Sequence, residues 1–466
     1  MTEVLDRYFK LKESNSTVRR EVLAGATTFV TMAYIIFVQP AVLSGKMFGF
    51  ETGMDFGAVM TATCLGAAIA SAIMGIYARY PIAQAPGMGQ NFFFALTAIP
   101  AATAAGFSNA WETALGVVFV SGVLFLLVSS FKIRETLLNA LSPSMKHGIA
   151  VGIGLFIAFI GLQNAGLIVK SPATGVTLNH HFLSPDLMVF FVGVIVAVSL
   201  HARRIPGSVL LGIMAATVLA CILKVAGASD VYPESKLATM FQFASGVFAT
   251  PPSISPALFK MDLGNALSTA MLPFVLVFLF MVLFDTVGTL VGVSEQAGLI
   301  EGNELPRARQ AFTSDALGTT IGACLGTSTV TAYIESAAGV EQGGRTGLTA
   351  VTVAILFLLA LFLSPIVAMI GGYPPLTAPA LVLVGAMMFK GVGKIDWSDF
   401  TEAFPAFVVM VGIPFSYSIG DGLALGILSY SVVKLLSGRH KDVHWVVHLL
   451  ASVLLLYFAF VRSKVG

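Results

Sequence analysis

The sequence predicts an all-α polytopic membrane protein with seven spanning segments in each half, and three observations lead to that reading. The first is composition. Of 466 residues, 26 are Lys or Arg and 24 are Asp or Glu, 11% in all, while 56% are hydrophobic; mean hydropathy is +0.88. A soluble domain carries about 25% charged residues, so this chain lacks the polar skin that a soluble enzyme of its size needs. The second is segment length. A spanning helix takes about 20 mainly apolar residues. Such stretches fall at 22–44, 56–78, 86–100, 111–131, 145–168, 184–201 and 206–226, then at 264–293, 312–326, 328–341, 347–370, 376–389, 400–418 and 420–436. The third is charge placement. With the N-terminus inside, 19 of the 26 basic residues fall in loops on that side and 5 (Lys46, Lys170, Lys224, Lys236 and Lys260) in the others, with Arg462 and Lys464 in the tail. Such an excess marks the cytosolic face.

Each element follows in order. Residues 1–21 are hydrophilic and have no apolar core before a cleavage site, so they are expected to stay cytosolic. Residues 22–226 form the first set of seven segments. The polar, Pro-rich stretch 227–263 is an extracytoplasmic linker, and 264–436 form the second set. In the tail, 437–466, the run 444–461 is apolar enough to cross the bilayer, lie on it, or pack outside the bundle. The 46 glycines suit close helix packing in lipid, and Gly148 and Gly152 stand at GxxxG spacing. Cys64, Cys221 and Cys324 lie in apolar stretches, as packing residues do. A net charge of +2 offers nothing to a nucleic acid.

Two segments are too short to span as single helices, and they hold matching places. The third reads YPIAQAPGMGQNFFFALTAIP (80–100); its Pro and Gly residues leave room for a half-helix starting near Gly89. The tenth reads LGTSTVTAYIESAAGVEQGGRTG (325–347), an extended β-branched run followed by a short helix that Gly343 and Gly344 end. Extended backbone at membrane depth must be satisfied by protein or a water-filled cavity. Paired interruptions of this kind in two halves point to a transporter's central site, with half-helix N-termini aimed at the substrate.

Carboxylates mark the same place. Asp285 lies far from either end of its segment, and Glu335 lies beside the break in the tenth. A charged carboxylate at mid-bilayer costs about 2.5–3.5 kcal/mol, so such acids face cavities and act on substrates or protons. Asn91 adds an amide able to donate and accept, Gln90 and Thr28 are further candidates, and Phe92 and Tyr333 offer ring faces. Asp315, Glu341, Arg345 and Asp421 fall near segment ends, where interface solvation or helix capping is the default. None of the seven His sits in mid-segment, so no metal site or His proton relay is expected. No Walker motif, nucleotide fold or catalytic triad occurs, which argues against ATP-driven pumping and against an enzyme.

Three motifs in this order, APGMGQNFFFA (85–95), LFDTVGTLVGV (283–293) and TSTVTAYIESAAGVEQGGRTG (327–347), resemble the nucleobase–cation symporter family of uracil/xanthine permeases. The similarity is greatest to its AzgA-like branch of adenine/guanine/hypoxanthine permeases, of which GATTFVTMAYIIFVQPAVLS (25–44) is also typical. The resemblance runs from about residue 15 to 437. It implies two inverted seven-span repeats, a core of segments 1–4 and 8–11, a gate of 5–7 and 12–14, and a substrate site between the two short segments. It also implies that Glu335 binds the ring N–H groups of a purine, that Asp285 binds base or proton, and that Asn91 reads ring substituents. Where uracil/xanthine members carry Gln-His in the first segment, this chain has Thr27-Thr28. A homodimer through the gate is a further implication.

The chemistry leads to the same expectation. A planar neutral purine suits a carboxylate, an amide and an aromatic wall. Only a co-transported cation draws on the membrane potential, at about 2.3 kcal/mol per 100 mV. With no oxygen-rich cage in the sequence, the expected coupling ion is a proton rather than sodium, and no cofactor is expected. The alternative keeps the fold and changes the cargo to an anion such as sulfate or bicarbonate; facing acids argue against it.

Overall fold

Pro81, Pro86 and Gly87 cannot continue one helix, and the β-branched run from Thr327 to Thr331 resists one. The structure, a computed structural model described over residues 2–130, 142–172, 174–297, 299 and 305–456, shows what these stretches build instead. In chain order the helices are α1 (Thr2–Phe9), α2 (Val18–Met32), α3 (Ile35–Leu43), α4 (Phe56–Ile73), α5 (Met88–Phe93), α6 (Ile99–Ala104), α7 (Ala110–Ser130), α8 (Pro143–Asn164), α9 (Pro185–Ala202) and α10 (Ser208–Val225). After the linker come α11 (Leu272–Gln296), α12 (Ala308–Leu325), α13 (Ser336–Glu341), α14 (Gly347–Ala360), α15 (Ser364–Gly371), α16 (Pro374–Met388), α17 (Phe400–Ser416), α18 (Ile419–Leu436) and α19 (Trp445–Leu456), besides single-turn pieces. The strands are β1 (Gln84–Pro86), β2 (Ile168–Ser171), β3 (Gly175–Leu178) and β4 (Val330–Ala332). Among the described residues, 10 helical stretches are long and apolar enough to cross a membrane, and Phe400–Ser416 is a shorter apolar helix.

Helix starts follow local chemistry. Ser142, Ser184 and Ser418 each accept a backbone N–H of the first turn of α8, α9 and α18. Pro143 and Pro185 stand just inside two of those starts, where a missing N–H costs nothing. Asp399 caps α17, and the Thr401 hydroxyl, helped by the Arg439 guanidinium, holds its carboxyl down to about 2.

The helices sort into two packing groups. In one, α14 lies on α2 and α4, α12 on α4 and α7, and α13 on α2. In the other, α8 lies on α16 and α17, α17 on α18, and α9 on α10 and α16. Gly148 and Gly152 set one of these seams: a Cβ at either would come within 3.0 Å of Ala406 or 2.9 Å of Ile413 on α17. The pair is a packing device, as its spacing predicts. The linker 227–263 lies against the bundle, with the Thr61 hydroxyl donating to Pro252 O at 2.8 Å and Asp262 N to Glu112 O at 2.9 Å. In the tail, α19 packs along α18, with Ser431 Oγ and His448 Nδ1 2.8 Å apart. Residues 457–461 of that apolar run lie outside the described residues.

Candidate substrate site

The two interrupted segments meet at mid-bundle. β1 pairs antiparallel with β4, Gln84 opposite Ala332, Ala85 opposite Thr331 and Pro86 opposite Val330. Flanking bonds extend the ladder: Gly87 N donates to Thr329 O, and Tyr333 N to Ala83 O, both at 3.0 Å. Each strand therefore satisfies the backbone groups that the other would leave bare. Each is followed by a helix, α5 after β1, continued through a π turn (Phe94–Ala98) into α6, and the short α13 after β4, so the two helices start beside one crossing.

A buried acid ties this crossing to its neighbours. Asp315 on α12 has no exposed surface. Its Oδ1 accepts from Gln84 Nε2 and Ala332 N, both at 2.6 Å. Its Oδ2 accepts from Thr331 Oγ1 at 3.1 Å and from the Thr286 hydroxyl. The expectation of an interface-solvated or capping acid is thus corrected: Asp315 clamps β1, β4 and α11 together. A second correction concerns Glu21, which the hydrophilic N-terminal stretch includes. α2 begins at Val18, so Glu21 is buried inside it. There it accepts from Arg345 N at 3.0 Å, Thr346 N at 3.2 Å and Thr349 Oγ1 at 2.6 Å.

A cavity of about 1100 Å³ adjoins the crossing. Asp285, Glu335, Gln90, Tyr34 and Tyr333 line it. Asp285 is exposed into it and receives Gln90 Nε2 at 3.1 Å. Glu335, immediately before α13, receives the Tyr34 hydroxyl at 2.8 Å. Tyr333 also lines the cavity, and its hydroxyl donates to Pro86 O at 2.6 Å. The cavity walls are otherwise largely apolar, with Ile149, Ile153 and Met281 among them.

The cavity has a mouth lined by basic side chains. His201, Arg204 and Lys390 line it and are exposed, and Lys146 and His147 at the start of α8 line it too. At 1.5 Å per residue, Gln163 stands about 25 Å along α8 from Lys146. There the Tyr417 hydroxyl donates to Gln163 Oε1 at 2.5 Å. A chain of rings leads back from it: Tyr417 to Phe156 at 5.4 Å, Phe156 to Phe92 at 6.3 Å, and Phe92 to Phe48 at 5.8 Å.

Three of the sequence-predicted site residues are not among those lining the cavity. Asn91 is fully buried, receives the Ser328 hydroxyl on Oδ1, and reaches Pro86 O through Nδ2 at 3.5 Å. Phe92 is buried in the ring chain just described. Thr28 is buried against α13, where a Cβ on Gly339 would stand 2.1 Å from its hydroxyl oxygen. Asp285, Glu335, Gln90 and Tyr333 do come together. Sequence reasoning missed Tyr34, whose only signal was a phenol in the middle of the first apolar segment. Among the described residues no group of three or more His, Cys, Asp or Glu could hold a metal ion.

This arrangement offers carboxylate acceptors, an amide and aromatic residues around one cavity whose basic groups stand at the mouth. Known proteins share the fold and much of the sequence. The cyanobacterial bicarbonate transporter BicA has the same fold in its transmembrane domain, with a TM-score of 0.61 at 15% identity, covering 88% of this chain and 97% of that one. Adenine permease AdeP of Escherichia coli K12 is 39% identical over 99% of this chain and 97% of its own length. Guanine/hypoxanthine permease PbuG of Bacillus subtilis 168 is 40% identical over 98% of this chain and 99% of its own. A profile of the uracil/xanthine type, described as a permease family, matches residues 19–455. The chain is therefore a multi-pass membrane transporter rather than an enzyme, and it belongs to this permease family, in its AzgA-like branch.

Proposed function

We propose that the chain imports purine nucleobases (adenine, guanine or hypoxanthine) across the plasma membrane by proton symport. The observation that carries this reading is the convergence of Asp285, Glu335 and Gln90 on one cavity beside the β1–β4 crossing. A purine presents ring N–H groups to carboxylates, acceptors to an amide and a flat face to Tyr333, and it carries no charge that would need a cation. The names of AdeP and PbuG point to the same cargo. In this reading Glu335 holds the base and Asp285 takes the base or the proton. Asn91, Phe92 and Thr28 shape the walls from behind.

The mechanism follows from the two packing groups. Fourteen segments in two inverted repeats would divide into a core, segments 1–4 and 8–11, that slides against a gate of 5–7 and 12–14. The mouth bears Lys146, Arg204 and Lys390, which the positive-inside rule assigns to the cytosol together with the N-terminus. The cavity is then open inward, and the ring chain from Phe48 to Tyr417 closes the outer side. A homodimer through the gate would brace it during this movement.

The test is transport in proteoliposomes. Adding adenine or hypoxanthine should drive proton entry, and an uncoupler should abolish accumulation. Uptake indifferent to the uncoupler would remove the coupling. An anion cargo is the rival reading that the shared fold with a bicarbonate transporter raises. Competition of purine uptake by sulfate or bicarbonate would revive it.

A further inference from the structure

Tyr34 stands where α2 hands over to α3. The helical ladder tightens there, with Ile36 N donating to Ala33 O and Phe37 N to Tyr34 O, both at 3.1 Å. Pro40, inside α3, has no N–H to bond back to Ile36 O, so the ladder is weakened just after this tightened turn. Several contacts hold it. The Tyr34 hydroxyl donates to Glu335 Oε1 at 2.8 Å. Thr31 Oγ1, bonded to Thr28 O at 2.7 Å, also reaches the Glu335 carbonyl at 3.4 Å. Gly339 lets α2 approach: a Cβ there would stand 2.6 Å from Ala24 O. Tyr34 is 1% exposed and still lines the cavity. Among the described residues no other side chain donates to the Glu335 carboxylate.

We propose that Tyr34 is a positioning residue for the substrate, acting through Glu335. Its hydroxyl occupies Oε1 and fixes the carboxylate plane, which leaves Oε2 to receive a ring N–H of the bound base. A carboxylate on a free Glu side chain would rotate among several rotamers, and binding would have to freeze it. The phenol does so in advance. Segments 1 and 10 both belong to the proposed core, so the bond travels with the site and serves the outward and inward states alike. The proposal rests on the purine reading above.

The test is Tyr34→Phe, which removes one oxygen and keeps the ring. A hydrogen bond to a charged group is worth enough for about a tenfold change in affinity. In proteoliposomes the KM for the transported base should therefore rise about tenfold, with maximal velocity within about twofold and the melting temperature unchanged. A purely structural hydroxyl would lower the melting temperature and the velocity instead, and that result, or a KM within about twofold of the parent, overturns the proposal. Glu335→Asp draws the carboxylate back by one methylene. In that background Tyr34→Phe should add less than about twofold, whereas fully additive losses would refute action through Glu335. If the parent protein takes up none of the five nucleobases, the purine reading fails; if it does and Tyr34→Phe matches it, only the role of Tyr34 fails.

Discussion

Asp285 and Asp315 belong to neighbouring helices and stand in opposite circumstances. Asp285 faces the cavity and, among the described residues, has one side-chain donor, Gln90. Asp315 is sealed from solvent and is met by four donors, from β1, β4 and α11. The next residue after Asp285 on α11 is Thr286, which turns inward to donate to Asp315. Two consecutive positions of one helix, about 100° apart, thus serve a cavity and a clamp. An acid in a membrane segment is therefore not by itself a functional one. A buried carboxylate whose lone pairs are filled by protein donors holds structure; one with free lone pairs beside a cavity is available to a ligand or a proton.

The comparison breaks most sharply at the clamp. Asp315→Asn places an amide N–H₂ where donors already converge, and leaves buried groups poorly paired at a cost of about 3 kcal/mol. The melting temperature in detergent should fall markedly and transport should vanish with it. An unchanged melting temperature would show that the four donors do not hold the crossing. Glu335→Gln should do the reverse, losing purine binding by about 100-fold while folding as well as the parent, since it removes a ligand group and not a joint. Thermal shift with and without adenine reads both effects at once. Asp285→Asn should act more narrowly still. Binding should stay within about tenfold of the parent, while an imposed proton gradient should no longer drive accumulation. Preserved coupling in that variant would move the proton site to Glu335.

Much of this was legible in advance because it depends on composition and on backbone chemistry. Scarce charge and apolar runs revealed the membrane helices, and Pro81, Pro86 and Gly87 with the Thr327–Thr331 run revealed the two interruptions. That β1 and β4 would pair with each other was not legible, since strand pairing between segments some 240 residues apart leaves no local pattern. Side-chain direction was the other gap. Asp315 looked peripheral by its distance from a segment end, and nothing in the order of residues shows that Gln84, Thr286 and Thr331 converge on it. Tyr34 was missed for the same reason, because its partner Glu335 is 301 positions away. Polarity finds which residues are costly in a bilayer; only the packing tells which of them face the cavity.

Asn91 puts this limit to its finest test, because sequence and structure give it different work. By family resemblance it reads ring substituents, and its loss should change which purine is preferred. By structure its amide is spent within the protein, on the Ser328 hydroxyl and Pro86 O, and Gln90 beside it is the residue that lines the cavity. Asn91→Ala should then cost about 1 kcal/mol of stability and a modest part of the uptake rate, through a loosened start of α5. The ranking of adenine, guanine and hypoxanthine as competitors should not move. A changed ranking at unchanged stability would mean that Asn91 turns toward the substrate in another state of the transport cycle, and the contrast between wall and site would have to be redrawn around it. The competition series measures a ratio between bases rather than a rate, so a general loss of active protein cannot imitate that result.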